Sequence, residues 1–228
     1  MIKGVIFDLD GTTINSLNDI AYSVNIALSD FGYETKDTEL VRKYMGTGFR
    51  NLVKGLLPDD VDEEIIDKVT AHYSDVYGKH YMDKTVAYDG IYELMNSLQK
   101  MNIKIAANSN KKNEFTANIM HKLFPQINFV ATIGARDNVP NKPDPTSAIE
   151  IIQKMGLEKD EVLYIGDSEV DMMTGINAGI KVIACLWGFR TKKDVEKYNP
   201  VLFAQKPYDI ERFIKEENRW RKYLYQSN

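Results

Sequence analysis

The sequence predicts an α/β fold: a doubly wound, Rossmann-like core with a parallel sheet, interrupted by an inserted all-helical domain. Three observations support this prediction. Short apolar runs alternate with helical stretches from about residue 83 onward, which is the order of βαβ units. An isolated apolar run at residues 5–7 precedes a block, residues 16–82, with only helical periodicity. Finally, 228 residues of which 43% are hydrophobic can fill a complete core.

Charge and cysteine content narrow the possible functions. A formal net charge of -4 without a basic stripe argues against a nucleic-acid partner. No apolar run approaches the roughly 20 residues of a membrane helix, and the N-terminus leads straight into strand-like sequence, so no membrane association and a cytoplasmic location are expected. Cys185, the single cysteine, lies in an apolar run and is interpreted as a core thiol.

The helical block follows the first strand. Ser16 is a candidate N-cap for its first helix and Gly32 a candidate end. Apolar residues recur there at three- and four-residue spacing, which predicts helices around residues 16–31, 40–45, 51–57 and 65–81.

The remainder alternates between strands and helices. Strands are predicted at residues 103–107, 129–133, 162–165 and 182–186, and helices at residues 91–100, 113–124, 148–155 and 170–178. Right-handed crossovers should join them into a parallel sheet that includes the first strand. The predicted core therefore comprises residues 1–15 and 83–228, and the helical domain residues 16–82, with two crossings near residues 15 and 83.

Carboxylates occupy two predicted strand exits, where α/β folds bind ligands. Asp8 and Asp10 follow the first strand, although a simple Asp-Gly turn would explain that segment alone. Asp167 and Asp171 follow the strand at residues 162–165, where helix capping is an equally good explanation when the segment is considered by itself. If all four converge, their repulsion requires a cation, and oxygen ligands favour Mg²⁺.

Two other segments offer groups for an anion. Ser109 and Asn110 follow the strand at residues 103–107. Lys142 stands between turn-forming residues, where a lysine can act as a fixed positive charge for phosphate oxygens. Each has an ordinary structural alternative, so only the combination is informative.

Four segments together resemble the motifs of haloacid dehalogenase-like hydrolases in order and in setting. They are DLDGT (residues 8–12), SNK (residues 109–111), KPDP (residues 142–145) and GDSEVD (residues 166–171). The helical block resembles the cap domain of that family. Finer details, such as Tyr88-Asp89-Gly90, are similar to its phosphoglycolate phosphatase branch.

The resemblance implies a mechanism. Asp8 would attack phosphorus and form an aspartyl-phosphate, and Asp10 would act as general acid and then as general base. Mg²⁺ would be held by Asp8, the backbone carbonyl of Asp10 and Asp167, with Asp171 in support. In the same scheme, Ser109 and Lys142 would hold the phosphoryl oxygens.

Some residues depart from the family's usual pattern, and others argue against related activities. Thr13 and Asn15 differ from the commonest first motif and bear on substrate preference, since they border the predicted cap hinge. Asp10 argues against true dehalogenation, because a leaving halide needs no protonation. The stretch around Met45 lacks the Schiff-base lysine of phosphonoacetaldehyde hydrolases.

The favoured substrate is a small phosphorylated metabolite, with 2-phosphoglycolate first. Residues 46–48 are interpreted as a cap loop reaching the site, with Asn110 as a substrate contact. Arg50 and Lys54 are candidate contacts to a second anionic group, Arg50 with the substrate's carboxylate, although two solvated side chains are an equally good interpretation. Inorganic pyrophosphatase and sugar-phosphate mutase of the same superfamily remain alternatives. A non-catalytic phosphate- or metal-binding protein is the alternative of another class. The sequence does not distinguish a monomer from a homodimer.

Overall fold

The computed structural model describes residues 1–226, with side chains up to Trp220. In chain order the strands are β1 (Gly4–Phe7), β2 (Ile14–Asn15), β3 (Val86–Ala87), β4 (Lys104–Lys112), β5 (Phe129–Ala135), β6 (Val162–Gly166), β7 (Lys181–Cys185) and β8 (Leu202–Ala204). The helices are α1 (Leu17–Asp30), α2 (Thr38–Tyr44), α3 (Phe49–Leu56), α4 (Glu63–His80), α5 (Ile91–Lys100), α6 (Asn113–Leu123), α7 (Thr146–Met155), α8 (Glu169–Ala178), α9 (Lys192–Val195) and α10 (Pro207–Gln226).

The main sheet has six parallel strands in the order β5-β4-β1-β6-β7-β8. β1 is central, between β4 and β6, so its ladder hydrogen bonds are satisfied on both sides. The order reverses at β1, and such a reversal opens a crevice at the carboxyl ends of the strands. The predicted α/β architecture is confirmed, including the position of the first strand in the common sheet.

Both faces of the sheet are buried, which explains the continuous apolar runs of its strands. Alternate residues of β1 belong to separate hydrophobic clusters, Val5 and Phe7 to one and Ile6 to the other. Helices α5, α6 and α10 cover the first face, and α7 and α8 cover the second. Cys185 is fully buried, as predicted for a core thiol.

Helices α1 to α4 form the predicted helical insertion, here residues 17–80. Its two connections to the sheet run side by side as the antiparallel ribbon β2–β3, a pairing that sequence periodicity did not indicate. The buried carboxylate of Asp19 accepts hydrogen bonds from the backbone N–H groups of Lys84 and Thr85, at 2.8 to 3.0 Å. This carboxylate therefore ties the start of the insertion to its end.

Among the helices that the model describes, none combines the length and apolar character needed to cross a bilayer.

Candidate active site

The exit of β1 is a tight turn that presents Asp8 to the end of β6. The N–H groups of residues 12, 13 and 14 all donate to the Leu9 carbonyl, at 3.0 to 3.3 Å. Gly11 has φ of 92°, and a Cβ there would lie 2.5 Å from Asp167 Oδ2. Only glycine tolerates both conditions. The Asp-Gly turn is therefore what allows the two acidic segments to approach.

Three carboxylates meet at these strand exits. Asp8, Asp167 and Asp171 are 5%, 2% and 1% exposed, and each offers an oxygen within 4.8 Å of the others. The Thr12 hydroxyl lies 3.5 Å from Asp8 Oδ2 and 3.3 Å from Asp167 Oδ1. The predicted convergence of Asp8, Asp167 and Asp171 is thus observed.

Lys142 enters this cluster from the loop before α7. Its Nζ lies 2.6 Å from Asp8 Oδ1 and 2.7 Å from Asp171 Oδ1, and it donates to the Asn108 carbonyl at 3.2 Å. One ammonium group cannot balance three buried carboxylates, so the cluster retains an excess of negative charge.

The excess negative charge shifts the pKa values of the groups in the cluster. Burial, followed by the Asp171 carboxylate, raises the pKa of Asp8 well above its usual range. The same two causes raise the pKa of Asp167 to about 7. Burial lowers the pKa of Lys142, but Asp171 and Asp8 outweigh this effect and keep its pKa above the usual value. The site therefore favours binding of an additional cation.

The donor atoms suit a hard divalent cation, since all three side chains offer oxygen only. Both oxygens of Asp171 already have partners: Oδ1 contacts Lys142, and Oδ2 accepts from the backbone N–H and hydroxyl of Ser168. Asp8 Oδ2 and Asp167 Oδ1 have only the long Thr12 contacts among the described residues. These two residues are therefore the better candidate ligands, and Asp171 is a supporting group.

Asp10 points to a different part of the site. Its Oδ1 lies 2.9 Å from Lys111 Nζ and accepts a hydrogen bond from the Ser16 hydroxyl. Its side-chain carboxylate is not a member of the acidic group formed by Asp8, Asp167 and Asp171. The predicted contact of Asp10 with metal involves its backbone carbonyl and stays a prediction.

Ser109 and Asn110 lie at the end of the neighbouring strand β4. The Ser109 hydroxyl oxygen accepts from the Lys111 N–H at 3.1 Å. The amide of Asn110 accepts from the Lys142 N–H at 2.8 Å and donates to the carbonyls of Lys142 and Gly46. Asn110 therefore positions the Lys142 loop against the helical insertion, a role that was not predicted.

A cleft of about 570 Å³ lies between these strand ends and the helical insertion. The predicted site residues that line it are Asp8, Asp10, Ser109, Asn110, Lys142, Asp167 and Asp171. The insertion contributes Ile20, Tyr44, Met45, Gly46, Gly48, Phe49, Leu52 and Tyr73. The interpretation of residues 46–48 as a loop that reaches the site agrees with this lining.

Arg50 is the predicted site residue that the structure does not bring to the cleft. Its guanidinium pairs with Glu63 at 2.5 Å and Asp67 at 2.7 Å, and its side chain is 42% exposed. Both acids lie in the first turns of α4, so the charge of Arg50 is used to pack α3 against α4. The geometry does not support the predicted contact of Arg50 with a substrate carboxylate.

Arg190, which follows β7, fastens the insertion over the cleft. It donates to the carbonyls of Arg42, Lys43 and Met45, each at 3.0 Å, and pairs with Glu169 at 3.2 Å. These carbonyls lie at the C-terminal end of α2, where helix carbonyls lack partners within the helix. The backbone N–H of Phe189, the residue before Arg190, donates to Asp167 Oδ2 at 2.7 Å.

Three functional candidates were missed in the sequence: Lys111, Arg190 and Tyr73, all of which line the cleft. Lys111 stands inside the SNK segment and could have been noticed from its position. Arg190 follows directly after the segment Trp187-Gly188-Phe189, which is similar to the phosphoglycolate phosphatase branch. Tyr73 has the helical spacing of an ordinary core residue, so no sequence signal separates it from the core.

Comparisons with known proteins agree with this geometry. The family model described as haloacid dehalogenase-like hydrolase matches residues 5–185. The chain is 30% identical to a phosphoglycolate phosphatase of Pseudomonas syringae pv. tomato, over 93% of this chain and 78% of that protein. It is 32% identical to a phosphoglycolate phosphatase of Aquifex aeolicus, over 82% and 86%.

A solved structure shares the fold. It is a protein of Lactobacillus delbrueckii subsp. bulgaricus provisionally named phosphoglycolate phosphatase, with a TM-score of 0.87, 27% identity, and coverage of 93% of this chain and 98% of that chain. The family model spans the strand exits that carry the acidic cluster. The chain belongs to the haloacid dehalogenase-like hydrolase family, in its phosphoglycolate phosphatase-like branch.

Proposed function

We propose that this enzyme is a Mg²⁺-dependent phosphatase that hydrolyses a small phosphomonoester through an aspartyl-phosphate intermediate. One observation carries the proposal: two carboxylates at one strand exit have different surroundings. Asp8 lies in the buried acidic cluster beside Lys142, whereas Asp10 lies beside Lys111 and Ser16. Two carboxylates with distinct environments can take distinct roles, one as nucleophile and one as acid and base.

The site residues have separate roles in the proposed reaction. An Asp8 oxygen attacks phosphorus while the bond to the leaving oxygen breaks, and Asp10 gives that oxygen a proton. Asp10 then removes a proton from water, which attacks the phosphoryl group and regenerates the Asp8 carboxylate. Lys142, Ser109 and the backbone N–H groups of Leu9 and Asp10 stabilise the negative charge on the phosphoryl oxygens.

The residues that would hold Mg²⁺ are Asp8, Asp167 and the backbone carbonyl of Asp10, with Asp171 in support. When bound, the ion supplies charge neutralisation, so that an anionic nucleophile and an anionic phosphate can meet. The excess of buried carboxylates over ammonium groups supports this assignment.

We also infer the division of the chain. Residues 16–82 would act as a cap domain, and residues 1–15 and 83–228 as the catalytic core. The β2–β3 ribbon and the Asp19 contacts lie where the two connections run together, which suits a hinge.

The favoured substrate is 2-phosphoglycolate, with pyrophosphate second. The names of the bacterial relatives support the first. A panel of phosphorylated metabolites, assayed with Mg²⁺ and with excess chelator, tests the proposal. We expect turnover only with the metal, and the highest kcat/KM for 2-phosphoglycolate. If another phosphate ester has a kcat/KM ten times that of 2-phosphoglycolate, about 1.4 kcal/mol of transition-state preference, that ester replaces 2-phosphoglycolate as the favoured substrate. The proposal of phosphatase activity would still stand.

The requirement for Mg²⁺ should depend on pH. Because the pKa of Asp167 is raised from 3.8 to about 7 without metal, protons compete with the ion below that value. We expect the Mg²⁺ concentration for half-maximal activity to fall as pH rises from about 6 to about 8. The stability of the metal-free protein should also fall as pH rises, since a raised carboxyl pKa favours the folded state at low pH and this contribution is lost as pH rises from 3.8 towards 7.

Metal titrations at several pH values, with thermal melts of the metal-free protein, measure both effects. A half-saturating Mg²⁺ concentration that is constant across this pH range would contradict the assignment of Asp167.

A further inference from the structure

Tyr73 presents a chemical group that the mechanism above does not use. It lies on α4, lines the cleft and is fully buried. Its hydroxyl has no hydrogen-bond partner among the residues that the model describes. A buried hydroxyl without a partner destabilises a protein, so an unpaired one in the wall of a cleft suits a ligand that supplies the partner.

Apolar neighbours hold the ring in place. Its centroid lies 4.6 Å from that of Phe49 and 5.8 Å from that of Tyr77. Ile20 and Leu52 line the cleft as well. Apart from Tyr44, the other side chains that the insertion contributes to the cleft lining carry no hydroxyl or charged group.

Asp10, the proposed general acid, lies on the same side of the cleft as Tyr73. Lys111 Nζ lies 2.9 Å from Asp10, contacts the Tyr77 hydroxyl and stands 4.6 Å from the Tyr77 ring centroid. Burial, then Tyr77 and Asp10, raise the pKa of Tyr73 well above its usual value. The hydroxyl consequently keeps its proton and remains a donor at physiological pH.

Each cation that lines the cleft already has a protein partner, as Lys111 has in Asp10. Lys142 contacts Asp8 and Asp171, and Arg190 contacts Glu169 and three carbonyls. The Tyr73 hydroxyl is the buried donor in the cleft lining that has no partner among the described residues.

We propose that Tyr73 is a specificity-determining residue whose hydroxyl donates a hydrogen bond to an oxygen atom carried by the leaving group. This inference rests on the proposed phosphatase function and specifies its substrate class. The substrates are small phosphate esters with a carboxylate or hydroxyl oxygen on the carbon next to the ester carbon. Selection works because an ester without that oxygen leaves the Tyr73 hydroxyl unpaired in a buried site.

The test compares two esters of equal chain length, 2-phosphoglycolate and ethyl phosphate, with wild type and Tyr73→Phe. The substitution removes one hydroxyl and keeps the ring. We expect the ratio of kcat/KM for 2-phosphoglycolate over ethyl phosphate to fall by about 10- to 100-fold, the range of a hydrogen bond to a charged group. The melting temperature should stay equal or rise, because no protein hydrogen bond is lost.

Tyr81→Phe is the matched control. Tyr81 belongs to the same aromatic cluster, with its ring 6.1 Å from that of Tyr77, and is not part of the cleft lining. The ratio should be unchanged in this variant.

The outcomes separate this inference from the proposed function. If wild type with Mg²⁺ hydrolyses both esters and Tyr73→Phe leaves the ratio unchanged, the specificity role is wrong and the phosphatase stands. A melting temperature several degrees lower would show that the hydroxyl already has a protein partner, and would also overturn the role. If wild type hydrolyses no phosphoester at all, both proposals fail.

Discussion

Replacement of Asp8 by asparagine is expected to lower kcat by about 10³-fold or more on every phosphoester, as loss of a nucleophile does in other enzymes. The amide cannot supply the carboxylate oxygen that forms the bond to phosphorus. The fold should survive, because an amide oxygen can still accept from Lys142, which lies 2.6 Å from Asp8. Removing one charge from an acidic cluster should even favour stability.

The measurement is turnover of p-nitrophenyl phosphate and 2-phosphoglycolate, with a thermal melt of each protein. Asp137→Asn is the control, since Asp137 is exposed and the same chemical change there should leave kcat unaffected. Acid quenching during turnover should trap a phosphoryl group on wild type and none on Asp8→Asn. Retention of kcat within tenfold in a folded Asp8→Asn protein would remove Asp8 from the nucleophilic role.

Replacement of Lys142 by methionine is expected to lower both activity and stability. The two carboxylates that contact Nζ would lose the one ammonium partner that the described residues give them, and would remain buried. Loss of one partner of a buried ion pair destabilises by about 3–5 kcal/mol. Loss of a charge that stabilises the transition state lowers kcat by about 10²- to 10³-fold. Denaturant unfolding in chelator and kcat with saturating Mg²⁺ measure the two effects separately.

A second substitution separates stability from catalysis. Adding Asp171→Asn to Lys142→Met removes one of the uncompensated carboxylates, so stability should recover in part while kcat stays low. Lys154→Met is the control, since its ammonium is exposed and 2.9 Å from Glu150, and it should change stability by less than about 1 kcal/mol. Recovery of kcat in the double variant would show that Lys142 acts only as a structural counter-ion.

The acidic cluster could be predicted because its residues follow apolar strands directly. Parallel strands end at a common edge, so Asp8 and Asp167 are brought together by the sheet itself. The strand order places β6 beside β1, and the backbone N–H of Asp8 donates to the Ile165 carbonyl at 2.8 Å. No information about the insertion was needed for this part of the site.

The wall formed by the insertion could not be predicted in the same way. Which helix face meets the core depends on contacts between distant segments, and helical periodicity does not distinguish core from cleft. The sequence pattern therefore does not distinguish Tyr73, a cleft residue, from the apolar core residues around it. The predicted contact of Arg50 with a substrate carboxylate is not supported, because Glu63 and Asp67 pair with its guanidinium within the insertion. The prediction considered the charge of Arg50 without taking these two acids into account.

The contacts of Arg190 have a consequence for how this protein can change during evolution. Arg190 binds carbonyl oxygens of residues 42, 43 and 45, and Asn110 binds the carbonyl of Gly46. Carbonyl oxygens are present whatever side chain a position carries. Side chains of this loop that line the cleft, such as Tyr44 and Met45, can therefore be exchanged without loss of these contacts. New substrate preferences can arise by point substitution while the attachment of the loop to the core is inherited unchanged.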